Sequence, residues 1–209
     1  RQNPSDAFQT LLPSAVINAD QSQDLLAPIS LSTITQGDGQ HNFYRSDVTV
    51  NIKATDPDIA GEENHTSGIL HINYHLDNGN NEKINGDILD LLISEEGEHA
   101  ITFFATDRAG NNEQEKTITF TIDKTAPTIV MTTPYDGAHY TFKQTILADW
   151  SASDNLSGID SATGTVNVGS PIDTSSIKTN DFAVTATDRA GNTAKKTVSY
   201  KVVSYSFVD

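Results

Sequence analysis

The sequence contains no cysteine. That removes disulfides, thiolate metal sites and cysteine nucleophiles, although it does not argue for the cytosol. Basic side chains are scarce: 13 Lys and Arg stand against 28 Asp and Glu, a formal net charge of −15. A nucleic-acid partner needs a basic face to neutralise phosphates, and none is visible. An anionic membrane surface is disfavoured for the same reason. No apolar run approaches the roughly 18 residues needed to span a bilayer, so no membrane insertion is expected of this chain. The first residues show no signal-peptide pattern. The chain is therefore expected to be an internal or processed piece of a longer protein, with neighbouring domains as its first partners. Gly-x-Ser-x-Gly, His-Glu-x-x-His and phosphate-binding glycine loops are all missing, and no catalytic role is expected.

What the sequence does have is an internal repeat. Ala105-Thr106-Asp107-Arg108-Ala109-Gly110-Asn111 recurs letter for letter as Ala186-Thr187-Asp188-Arg189-Ala190-Gly191-Asn192. A repeat of this kind fixes the organisation before any other reading. Ile101, Phe103 and Ala105 precede the first copy in alternate positions, as Phe182, Val184 and Ala186 do the second. Lys116 to Ile122 then matches Lys196 to Val202. Both flanks have a period of two, which is a strand with one buried face. Strand, tight turn and strand make a hairpin. Asp107 and Asp188 suit the turn because their carboxylates accept backbone N–H bonds, and Gly110 and Gly191 because they tolerate positive φ.

The match extends upstream. Val48, Val50, Ile52 and Ala54 alternate and lead into Asp56; Ile146, Ala148, Trp150 and Ala152 alternate and lead into Asp154. Trp150, the single tryptophan, falls on the inward face of its run and is expected in the core. Ser67-Gly68-Ile69 and Ser157-Gly158-Ile159 follow in turn, the first after an acidic loop holding Asp58, Glu62 and Glu63. Asp24-Leu25-Leu26-Ala27-Pro28 resembles Asp123-Lys124-Thr125-Ala126-Pro127, and the Ala-Pro step reads as extended linker. The expected division is an N-terminal arm or remnant of a preceding domain over 1–24, one domain over 25–124 and a second over 125–209. The first carries a charge balance of −11 and the second −2.

Asp-x-Ala-Gly-Asn at the last hairpin, followed by Ile122-Asp123-Lys124-Thr125-Ala126-Pro127, resembles the immunoglobulin-like repeats of bacterial and archaeal cell-surface and secreted proteins. The first copy also carries Tyr74-His75-Leu76-Asp77-Asn78-Gly79 and Glu96-Gly97-Glu98-His99, which the second lacks. The resemblance implies an all-β chain of two tandem immunoglobulin-like antiparallel β-sandwiches, seven strands each. It also implies an extracellular or cell-surface location and a non-catalytic spacer or stalk. An adhesive module for carbohydrate or a host surface protein, or an accessory region of a secreted hydrolase, are the alternatives.

Candidate chemistry is confined to carboxylates and a few rings. Asp56, Asp107 and Asp123 are expected near one end of the first sandwich, with Asp154 and Asp188 as the matching set in the second. These are candidate ligands for a structural calcium ion, which takes six to eight oxygens; capping of turns is the other reading. No other cofactor is expected. Glu95, Glu96 and Glu98 before His99 read as a charged turn ahead of a strand. His71 and His75 share a strand face but stand about 13 Å apart, too far to hold one metal. Tyr44, Tyr135, Tyr140, Phe142 and Tyr205 are the aromatics considered for stacking on sugars. Asn64-His65-Thr66 and Asn155-Leu156-Ser157 match the glycosylation triplet by chance.

Overall fold

The computed structural model describes residues 24–58 and 66–204. The arm over 1–23, Glu62, Glu63, Asn64, His65 and Tyr205 lie outside the described residues. Every described element is a strand. The first copy supplies β1 (Ile29–Gln36), β2 (Gly39–Gln40), β3 (Phe43–Tyr44), β4 (Val48–Thr55), β5 (Ile69–Leu76), β6 (Glu82–Asn85), β7 (Ile88–Ile93), β8 (Gly97–Asp107) and β9 (Lys116–Ile122). The second supplies β10 (Thr128–Thr133), β11 (Ala138–Thr141), β12 (Asp149–Ser153), β13 (Ile159–Gly164), β14 (Thr179–Asp188) and β15 (Thr193–Val203).

In the first copy one sheet has the order β1-β4-β7, and the facing sheet runs β2-β3-β9-β8-β5-β6. The opening strand is divided. Its first part pairs antiparallel with β4, and its later part crosses over so that β3 lies parallel to the final strand β9. The second copy repeats the plan with β10-β12 on one side and β11-β15-β14-β13 on the other, β11 lying parallel to β15. This is the immunoglobulin-like sandwich, built twice. The strand count departs from seven in both copies. The first gains from the divided opening strand and the extra edge β6. The second loses the partner of β12 that β7 provides for β4.

That loss has a local cause. Alternation from Ile146 predicts a strand there, yet β12 begins only at Asp149. Residues 146–148 are instead tied to an irregular segment by Ala148 N to Ser170 O, Ile172 N to Ile146 O and Gly169 N to Ala148 O. The contact amounts to a single antiparallel bridge, Leu147 with Pro171, and the chain turns away on either side of it.

The core follows the period of two. Val48, Val50, Ile52 and Ala54 are fully buried and meet Ile72, Ile101, Phe103, Ala105, Phe120 and Ile122 from the facing sheet. The second core gathers Ala148, Phe182, Val184, Ala186, Val198, Tyr200 and Val202, and shares no residue with the first. Trp150 packs against the second core, and its Nε1 donates to Val166 O at 3.1 Å. Gly164 lies beneath the indole; a Cβ there would stand 2.7 Å from Nε1 and 2.8 Å from Val166 O. One buried charge seals an edge: Glu113 accepts hydrogen bonds from the N–H and hydroxyl of Ser30 on β1, from Ala105 N and from Lys116 Nζ.

Two outcomes follow from this packing. Phe103→Ala and Phe182→Ala each lower stability by about 3–5 kcal/mol, and in calorimetry each shifts the unfolding of its own copy while leaving the other in place. Gly164→Ala displaces the indole, so tryptophan emission shifts to longer wavelength and loses intensity without loss of far-ultraviolet β signal.

Candidate metal sites at the repeat boundaries

The two heptapeptides adopt one conformation. In the first, Asp107 Oδ1 accepts from Asn111 N and Oδ2 from Asn111 Nδ2, both at 2.8 Å, while Asp107 N donates to Asn111 O at 3.2 Å. In the second, Asp188 accepts from Asn192 N at 2.8 Å and Nδ2 at 2.9 Å, and Asp188 N donates to Asn192 O at 3.1 Å. Gly110 and Gly191 both sit at φ 94°, a conformation that a Cβ would strain.

Each turn is the centre of a larger cap. The amide of Asn111 also donates to the carbonyls of Asp24 and Leu26, and that of Asn192 to those of Asp123 and Thr125. The carboxylate of Asp24 accepts from Leu26 N and Ser67 N; that of Asp123 accepts from Thr125 N and Ser157 N. Asp56 accepts from Gly68 N at 2.6 Å, and Asp154 from Leu156 N and Gly158 N. Three aspartates from three separate segments thus converge at one end of each sandwich. Their ligand atoms lie within 4.8 Å of one another in both the Asp24–Asp56–Asp107 and the Asp123–Asp154–Asp188 groups.

This grouping corrects the expectation for Asp123, which belongs with Asp154 and Asp188 rather than with Asp56 and Asp107. Strand polarity is the reason. β9 runs antiparallel to β8, away from the turn that holds Asp107, so Asp123 emerges at the far end of the first sandwich. Asp24 takes the vacant third place. The likeness of Asp24–Pro28 to Asp123–Pro127 was the signal for it, since equivalent segments occupy equivalent corners.

The electrostatics of the first group are uneven. Burial raises the pKa of Asp56, and the charges of Asp24 and Asp107 raise it further. Burial works against charged Asp24 as well, but hydrogen bonds from Ser67 and Leu26 outweigh it and leave that carboxyl below its usual range. Of the six carboxylate oxygens in this group, five accept an N–H; the sixth, Asp56 Oδ1, is buried with no hydrogen-bond partner. A buried acceptor left without a donor fits a cation or a proton placed there.

The other candidates are dispersed. His71 and His75 pair opposite Thr106 and Thr102 along β5. His99 is buried, with Nδ1 3.0 Å from Asp77 Oδ2 and Nε2 2.9 Å from the carbonyl of Glu95. Glu96 turns to the linker and accepts from Lys124 N at 2.9 Å. Tyr44 packs against the first core and Tyr140 and Phe142 against the second, while Tyr135 is exposed.

No protein-family model matches the chain, and no curated protein matches it. Solved structures with a similar arrangement include the fibronectin(III)-like modules of Clostridium thermocellum CbhA, at 15% identity over 83% of this chain and 95% of that one, with a TM-score of 0.34. They also include protocadherin gamma B2 extracellular cadherin domains 3–6, at 15% identity over 87% of this chain and a TM-score of 0.35. The protocadherin gammaB4 extracellular domain matches at 14% identity over 87% of this chain, with a TM-score of 0.36. The chain spans about half the length of the gamma B2 fragment and about a third of the gammaB4 chain.

Proposed function

We propose that the chain is a non-catalytic pair of immunoglobulin-like modules, of the Asp-x-Ala-Gly-Asn type, that serves as a spacer in an extracellular or cell-surface protein. The supporting observation is how the short link between the two copies is held. Asp123 is fully buried and is bonded into the cap of the second copy through Ser157 N and Asn192 Nδ2. The next residue faces the first copy: Lys124 N donates to Glu96, and Lys124 Nζ to Asp47 and to the carbonyl of Ser94. Arg45 of the first copy donates to the carbonyl of Gly191 in the second at 3.0 Å. Successive residues fastened to opposite modules leave the link few free torsions. The exposed Lys124–Asp47 pair contributes little by itself; the buried acceptors of Asp123 matter more.

The test is the distribution of module orientations. Small-angle scattering should give one narrow, elongated solution for the native chain. Asp123→Ala leaves two N–H groups without acceptors, costs the second module about 1–3 kcal/mol and broadens that distribution. A native chain whose modules tumble independently would defeat the spacer reading.

A second reading is favoured by the orphaned Asp56 Oδ1: a calcium ion at the Asp24–Asp56–Asp107 cap. It is tested by melting in millimolar Ca²⁺ and in EDTA. Binding raises the melting temperature by mass action, by about 2.7 kcal/mol at a hundredfold excess over the dissociation constant. In EDTA the Asp56 contribution is present below its unfolded pKa of 3.8 and is lost as pH rises through the raised folded value, so the difference in stability between the native chain and Asp56→Asn changes with pH in that window, against the opposite trend of Asp24. Asp56→Asn removes both effects. Identical melts in Ca²⁺ and EDTA rule the ion out.

A further inference from the structure

The copies share their caps, so whatever one copy has alone is not required by the sandwich. The first copy carries a groove of about 710 Å³. Its walls are the β2–β3 hairpin, the turn after β5, the start of β8 and the middle of β9. His41, Asn42 and Phe43 form one side, and Asn78 and Glu98 the other. The volume lies within the range of small-ligand sites.

The groove is built rather than incidental. Asp77, at φ 51°, accepts from Ala100 N at 2.7 Å and faces His99 Nδ1, while Asp77 N donates to Ala100 O. Both ring nitrogens of His99 face oxygen atoms, Asp77 Oδ2 and the carbonyl of Glu95. This pair, buried only on the His99 side, fixes the turn that carries Asn78 against the strand that carries Glu98. In the second copy Asn180 stands where His99 stands in the first, and its side chain is 3.4 Å from the carbonyl of Asp173. The fold therefore does without the pair. His41 and Asn42 also hold positive φ, at 51° and 68°, in the two-residue turn that presents Phe43.

The side chains of His41, Asn42, Asn78 and Glu98 make no hydrogen bond to another described residue, so the groove offers two amides, an imidazole and a carboxylate beside a half-buried phenyl ring. We propose that this groove is a binding site for a neutral, hydroxyl-rich ligand, a glycan. Amides and a carboxylate give and take hydrogen bonds with sugar hydroxyls, and the ring of Phe43 meets their apolar C–H face. Asp77 and Glu98 are the carboxylates of these walls, and they repel sialylated or sulfated ligands. Only Glu98 is a carboxylate without an internal partner, since both oxygens of Asp77 are taken, which favours hydroxyls over a basic peptide. The inference does not depend on the spacer reading, and its failure leaves that reading intact.

The experiment titrates the full chain with neutral oligosaccharides (β-1,4-, β-1,3- and α-linked glucose and mannose hexamers), with sialyllactose and with an arginine-rich peptide, followed by amide NMR. The expected result is millimolar or tighter binding of at least one neutral hexamer, with shifts confined to residues 41–43, 77–79 and 97–100. Asn78→Ala and Glu98→Ala, both on the surface, should each weaken it about tenfold while the melting temperature stays unchanged. Silence from every neutral hexamer, shifts elsewhere, indifference to both substitutions, or binding of only the acidic sugar or the peptide would each overturn it.

Discussion

An aspartate that accepts two N–H bonds from an asparagine four residues on is the interaction around which each half of this chain is organised. Asp107 with Asn111 and Asp188 with Asn192 close the hairpin between the two central strands. The same asparagine amide reaches back to the segment that enters the sandwich. One side chain thereby joins the first segment of a module to its last hairpin, at a large sequence separation. With no cysteine available, this network and the apolar core together hold the ends of the strands in register.

Concentrating carboxylates at one corner has an electrostatic cost, which backbone donors offset. Each of the three aspartates in a cap turns at least one oxygen toward an N–H that would otherwise lack an acceptor. The arrangement is an economical way to finish turns, since a carboxylate accepts from several directions. The first cap is one donor short, and the second stands on the link between modules, where Asp123 serves as the end of one strand system and the beginning of the next.

The fold was legible because its signals are local. Alternation marked Val48 to Ala54 and Ile101 to Ala105, and identical turn residues marked the hairpin. The grouping of the aspartates was less legible because it depends on which way each strand runs, which composition and spacing do not contain. Reading β9 as returning from the Asp107 turn would have moved Asp123 to the other end. The missing strand in the second copy lies where residues 146–148 meet only a single bridge at Pro171, outside the alternating run. The groove beside Phe43 was not legible at all. It is made by a two-residue hairpin, a turn and the start of a long strand, whose residues are far apart in the chain.

The parallel pairing of opening and closing strands has a mechanical consequence. Tension on the chain termini slides β3 along β9 and β11 along β15, so the bonds between them are strained together rather than peeled one after another. The first pair joins two residues, Phe43 with Thr121 and Tyr44 with Ile122; the second joins four, Ala138 to Thr141 with Tyr200 to Val203. A tether pulled from both ends would therefore give way first in its more acidic half, and the other half would hold its length to higher force.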